Sequence, residues 1–146
     1  MSSYNKQKGT KFESDVMKYL RSLGHFAERL AKAGANDEGD IVTIIAGQTY
    51  ILECKNRKAM NLPQFWAEAQ TEAANYAKAR GQVVAPLAFV VVKRRNASIE
   101  DAWVIQPLGE WVNASTAGTD NNKRDDEHTS SGSKRRTKTR GRKTRR

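Results

Sequence analysis

The chain holds one cysteine, Cys54, and three prolines among 146 residues. A single thiol excludes an intrachain disulfide and argues against a thiolate zinc cage. There are two histidines; His25 has no ligand-type neighbours at metal-binding spacing, and His128 lies in a polar C-terminal stretch. No apolar run approaches the roughly 18–20 residues that span a bilayer. The opening Met1-Ser2-Ser3-Tyr4-Asn5-Lys6 lacks the apolar centre of a signal peptide. A soluble, cytoplasmic protein is expected. Acids are outnumbered, 16 against 26 Lys and Arg, for a net charge of +10. The excess is uneven, since residues 114–146 carry 11 of the basic residues and 4 of the acids. A polyanionic partner follows, with nucleic acid ahead of an anionic membrane surface.

Two regions separate on composition. Residues 1–113 read as one folded domain. Residues 114–146 are dominated by Ser, Thr, Gly, Asn and charge, without hydrophobic periodicity, and read as a disordered basic tail. Its last stretch, 130–146, has nine basic residues and no acids. Such a block binds polyanions without sequence preference.

Within the domain, residues 1–8 read as polar and mobile. Thr10-x-x-Glu13 resembles a capping box that opens a helix. Phe12, Val16, Tyr19, Leu20 and Leu23 then recur at helical spacing, up to Gly24. A short edge strand is expected over 25–30 and a loop over 33–39. Residues 40–46 and 48–55 read as a hairpin around a Gly47-Gln48 turn. Asn61-Leu62-Pro63 leads a helix over 64–80, closed by Gly81. The apolar run 86–92 reads as a buried strand, 102–105 as a last strand, and 107–112 as a turn or short helix. The order predicts an α/β fold: a mixed central β-sheet with a helix on each side.

The hairpin carries the chemistry. Side chains two apart on a strand share a face, so Glu53 and Lys55 project together and Cys54 points away. Pairing folds the start of one strand against the end of the other, which brings Asp40 to that same end. Two carboxylates suit Mg²⁺ or Mn²⁺, and the backbone carbonyl of Cys54 offers a third oxygen. A cation there polarises a phosphodiester oxygen and lowers the pKa of a water. Lys55 orients the water or neutralises developing charge, and like charge from the cation should push its pKa down. Taken singly, Glu-x-Lys on a strand is usually a surface ion pair, Asp40 a turn residue before a strand, and Glu13 a helix cap.

Gly9-Thr10-Lys11-Phe12-Glu13, Gly39-Asp40 and Glu53-Cys54-Lys55, in this order, resemble the PD-(D/E)XK nuclease superfamily. Within it the chain is most similar to the archaeal-type Holliday junction resolvases and their phage-encoded relatives, over roughly residues 8–112. The resemblance implies a restriction-endonuclease-like core and a Mg²⁺-dependent endonuclease (Mn²⁺ the alternative) that cuts four-way or other branched DNA, leaving 5′-phosphate and 3′-hydroxyl ends. It implies Asp40 and Glu53 as metal ligands, Lys55 as the catalytic lysine, and Glu13 as the helix acid that completes or supports the site. It also implies a homodimer, since two strands are cut. A phage origin, acting in the host cytoplasm, fits the pattern. Two departures stand out: Gly39 replaces the motif's proline, and the loop Ala33-Gly34-Ala35-Asn36 lacks the serine many resolvases carry, so that role is either empty or passed to Asn36.

Lys32, Asn36, Arg57, Lys58, Lys93, Arg94 and Arg95 flank these motifs and are the candidate DNA contacts. Gln64 and Gln70 on the following helix are weaker candidates. Trp66, Trp103 and Trp111 read as core or subunit-interface residues. The rival readings are a nuclease of the same fold acting on flaps, single strands or duplex DNA, and a non-catalytic DNA-binding protein with a degenerate nuclease fold.

Overall fold

The computed structural model describes residues 3–32 and 34–120. Helix α1 spans Ser3–Ser22, so it begins well before Thr10. The Lys and Gln residues of its first turns are good helix formers, and Gly9 is a tolerable cost of about 1 kcal/mol. Thr10 is therefore helix interior, its carbonyl accepting the Ser14 hydroxyl at 2.9 Å. This overturns both the mobile leader and the capping-box reading, and it leaves Glu13 free for another task. The helix closes as predicted at Gly24 (φ +86°), where Gly24 N–H bonds to Arg21 O and His25 N–H to Leu20 O. Those two bonds form a Schellman motif, which needs the left-handed residue that glycine supplies.

Strand β1 (Phe26–Arg29), β2 (Ile41–Ile45), β3 (Gln48–Lys55), β4 (Leu87–Val92) and β5 (Trp103–Ile105) form one sheet in sequence order. Pairing is antiparallel except between β3 and β4, which run parallel. The parallel step demands a crossover, and α2 (Leu62–Ala79) provides it. Asn61 caps α2 through its side chain, with Pro63 in the first turn, where its missing N–H costs nothing. The hairpin turn is Ala46-Gly47, one residue earlier than expected.

Alternation along β3 divides the core into two layers. Ile51 faces α2 together with Val42, Ala88, Val90 and Val92, packed on Phe65, Ala69 and Ala73. Leu52 and Cys54 face α1 with Ile41 and Val91, packed on Phe12 and Val16. Burial on both faces explains why β4 reads as a continuous apolar run rather than an alternating one. The fold is the α/β sandwich that the element order predicted.

Helix α3 (Leu108–Asp120) runs past the turn or short helix expected over 107–112. Once its first turn is closed by Trp111 N–H on Pro107 O, each further residue adds a hydrogen bond at little cost. Residues 114–120, expected as tail, are helical. A unit boundary falls between Trp111 and Val112. The expected disordered segment beyond residue 120 lies outside the described residues. No helix among the described residues is long and apolar enough to cross a membrane.

Candidate active site

β3 outruns β2. The ladder pairs Ile41 with Leu52, and beyond Leu52 only β4 accompanies β3. On a strand, the N–H and C=O of one residue point to the same side, and the side alternates. Lys55 O accepts Lys93 N–H, so Lys55 points toward β4; Leu52 O accepts Asp40 N–H, so Leu52 points toward β2. Cys54 must then direct both its N–H and its C=O to the side that β2 has vacated.

Asp40 occupies that gap. Its Oδ2 accepts the Cys54 N–H at 2.8 Å. Covalent bond lengths then place this carboxylate within about 5 Å of the Glu53 Cα. The approach depends on Gly39, whose φ of +100° lies in the left-handed region; a Cβ there would come within 2.6 Å of Ile51 Cγ2. Proline, locked near a φ of about −65°, cannot adopt this backbone. That gives a physical reason for the glycine where the superfamily's motif has proline.

Asp40, Glu53, Lys55 and Glu13 are all buried. Lys55 Nζ lies 2.5 Å from Glu53 Oε1 and 2.6 Å from Glu68 Oε2. Glu13, freed from capping, pairs with Arg29 at 2.6 Å and lies 3.6 Å from Lys32 Nζ. Lys32 reaches Asp40 Oδ1 at 2.8 Å and so bridges the helix acid to the strand acid. Four of the predicted residues thus meet at one end of the sheet, joined by cations.

Titration follows from these neighbours. Burial alone would lower the Lys32 pKa, but the hydrogen bond and charge of Asp40, then the charges of Glu13 and Glu53, outweigh it and raise it. Lys55 is likewise raised, burial being overcome by Glu53 and Glu68. The carboxylates of Glu53 and Glu68 thus keep the Lys55 ammonium charged; the depression expected beside a cation concerns the metal-bound site. Glu53 is pushed up, chiefly by burial. Burial, then contact with Glu53, pushes Glu72 up to about 9. The Cys54 thiol is raised well above its usual value, first by burial and then by Asp40, Glu53 and Glu13. It stays a thiol facing α1, so Cys54 offers a cation only its carbonyl.

A cavity of about 1500 Å³ opens over this cluster. Its walls include Lys32, Arg57, Lys58, Lys93, Arg94 and Arg95, six of the seven candidate DNA contacts. Asn36 is not among the lining residues; it closes an exposed 3-10 turn, Gly34–Asn36. Lys6 and Lys8 line the cavity too, and the Asn56 side chain donates to Lys8 O at 3.3 Å. Sequence reading missed them by treating residues 1–8 as mobile. Glu68 and Glu72 were also missed, although with Gln64 they form an i, i+4, i+8 stripe on α2. Gln64 approaches the site through Glu68, with its Nε2 2.8 Å from Glu68 Oε1; Gln70 is exposed and off this stripe.

Among the described residues, no three His, Cys, Asp or Glu side chains converge into a ready-made metal cage. The donor set nonetheless fits Mg²⁺, which takes one or two carboxylates and otherwise keeps its waters. Burial and neighbouring carboxylates push both Glu53 and Glu72 up, and Glu72 Oε2 is buried without a hydrogen-bond partner, a crowding of acids that a cation relieves. Asp40, Glu53 and the Cys54 carbonyl are the groups that would hold it.

A mixed sheet between helices, with an acid entering one strand of a hairpin and an acid and lysine ending the next, defines the PD-(D/E)XK nuclease superfamily. Residues 4–96 match the archaeal Holliday junction resolvase (Hjc) family, and the chain belongs to it. The chain is also similar to the 1.6 Å structure of Archaeoglobus fulgidus Hjc, a Holliday junction resolvase from an archaeal hyperthermophile. That match is 28% identical, covers 62% of this chain and 67% of that one, and has a TM-score of 0.42. No curated protein matches the chain. Family membership makes it a resolvase-like nuclease, of a class that binds branched DNA and generally depends on divalent metal.

Proposed function

We propose that the chain is a Mg²⁺-dependent endonuclease that resolves four-way DNA junctions, with Asp40, Glu53 and Lys55 at its centre. The observation that carries this reading is the bond from Cys54 N–H to Asp40 Oδ2, which ties the acid before β2 to the strand bearing Glu53 and Lys55. Bound Mg²⁺ would supply Lewis acidity to the scissile phosphate and acidify the attacking water. Asp40, Glu53 and the Cys54 carbonyl would hold that ion, and Mn²⁺ is the alternative.

The remaining work falls to the protein's own side chains. Lys55, charged and held against Glu53, orients the attacking water and stabilises negative charge as the phosphorus–oxygen bond breaks. Glu13 holds Arg29 and Lys32 in place, and so keeps two cations over the entry to the acids. Lys93, Arg94 and Arg95 follow β4 directly, are exposed, and contact backbone phosphates of a junction arm. Lys32, Arg57 and Lys58 extend that contact along the cavity. Symmetric nicking needs two sites, which a twofold homodimer provides. The β5 edge, where Trp103 and Val104 are more than half exposed, supports an interface there. The chemistry lies within residues 1–113, the basic segment 114–146, whose first residues continue α3, raises affinity for DNA, and the work is done in the cytoplasm of a cell or phage host.

A substrate panel tests this. Purified protein is offered a four-way junction, a flap and a linear duplex with Mg²⁺. Selective junction cleavage is expected, as paired nicks. Equal cutting of all three would favour a general nuclease of the same fold. Binding without cleavage in either Mg²⁺ or Mn²⁺ would leave a DNA-binding protein.

A further inference from the structure

Two carboxylates hold the Lys55 ammonium, and the reaction proposed above employs only one of them. Glu53, on β3, is needed for the cation. Glu68, on α2, lies 2.6 Å from Lys55 Nζ through Oε2. Its other oxygen accepts Gln64 Nε2 at 2.8 Å, and the Gln64 backbone N–H is capped by Asn61 Oδ1 at 3.3 Å. The Phe65 ring packs against the same ammonium, 5.0 Å from its centroid. A continuous set of bonds therefore runs from the N-cap of α2 to the lysine.

The need for such a brace is physical. Lysine carries its charge on a flexible four-carbon stem. Glu53 alone fixes one distance and leaves the ammonium free to swing about it. A second carboxylate from a different element, with a ring beneath, fixes it in three directions. A cation held by Glu53 would compete with Lys55 for that carboxylate and repel the ammonium by like charge. Glu68 stays in place, because Gln64 and the helix hold it. The Glu68 side chain is 36% exposed and that of Lys55 10%, so losing Glu68 also leaves a largely buried ammonium short of a partner, a cost in stability that the double variant separates from positioning.

The geometry points to Glu68 as a positioning residue that acts through Lys55, keeping its ammonium beside the acids without itself touching DNA. This rests on Lys55 being the acting lysine, as proposed above. The test is single-turnover cleavage of a four-way junction with Mg²⁺ by the parent, Glu68→Ala, Glu68→Gln, Lys55→Ala and the Lys55→Ala/Glu68→Ala double variant. Junction affinity in EDTA and the nitrogen-15 signal of the Lys55 ammonium in metal-free protein are followed alongside.

Glu68→Ala is expected to slow cleavage about 10- to 100-fold, the scale of a displaced catalytic group, with junction affinity unchanged. The slowly exchanging Lys55 signal disappears. Glu68→Gln keeps an acceptor oxygen for Lys55 and restores most of the rate. In the Lys55→Ala background the loss of Glu68 has no further effect, as residues acting as one unit require. Parental cleavage by Glu68→Ala, a retained Lys55 signal, or additive losses in the double variant would each overturn the role of Glu68 while leaving the nuclease reading intact. Cleavage by Lys55→Ala at the parental rate, or none by the parent, would overturn the reading of Lys55 and this inference with it.

Discussion

Asp40 and Cys54, fourteen residues apart, are joined by a 2.8 Å hydrogen bond from the Cys54 backbone N–H to Asp40 Oδ2. The bond continues the β2–β3 ladder past the point where β2 ends, with a side chain taking the place of a strand. It leaves Oδ1 turned toward Lys32 and the Cys54 carbonyl on the same open side. An acid is thereby built into the backbone that carries Glu53 and Lys55, so its position is fixed by the sheet rather than by a loop.

Gly39 is the hinge of that arrangement. Gly39→Ala should cost about 1–2 kcal/mol for the left-handed backbone, plus about 1–3 kcal/mol for the overlap with Ile51. Gly39→Pro, which restores the proline of the superfamily's motif, should be worse still, because its φ is incompatible. Urea denaturation of the three proteins measures this. A proline variant as stable as the parent would show that the backbone at residue 39 is not held as described.

Glu72 makes stability fall with rising pH. An acid whose folded pKa lies above its unfolded value binds its proton more tightly when folded. Its contribution is intact at low pH and is lost as pH rises through the window from 4.5 to about 9. Glu72→Gln mimics the protonated acid and removes that loss. In metal-free buffer its stability relative to the parent should climb steadily between about pH 5 and pH 9. A difference that stays constant across the window would contradict the shifted acid.

Lys93, Arg94 and Arg95 should set the salt dependence of DNA binding. Each phosphate contact contributes a slope of about −0.9 to the plot of log K against log salt. Replacing all three by Ala should make the slope shallower by about 1 to 3 and weaken binding to every DNA alike. An unchanged slope would remove these residues from the interface.

Phe12 anchors α1 to the sheet and is 1% exposed. Phe12→Ala should destabilise the domain by about 3–5 kcal/mol. It should also disturb the site, because the next residue, Glu13, holds Arg29 and Lys32. Thermal unfolding and junction cleavage measured on one preparation test both effects.

Much of this was legible in the chain, and the reasons differ by residue. The hairpin and the apolar β4 run declare themselves through period and turn residues, and Gly24 and Gly81 mark helix ends because left-handed caps need glycine. Asp40, Glu53 and Lys55 stood out because strand period and a tight turn place them together. Glu13 was obscured, since the same spacing from Thr10 reads as a cap, and only the longer α1 removes that ambiguity. Glu68 and Glu72 carried a visible i, i+4 spacing, yet nothing local says which face of α2 meets the end of β3; that depends on how the crossover packs. Lys6 and Lys8 were hidden by composition, because polar helix formers at a chain start read equally well as coil.

The most direct measurement is cleavage of a labelled four-way junction with added Mg²⁺, comparing the parent with Asp40→Asn and with the parent in EDTA. Paired nicks by the parent are expected, with a loss of about 100-fold or more in the variant, none in EDTA, and junction binding preserved throughout. Cleavage by Asp40→Asn at the parental rate would contradict this.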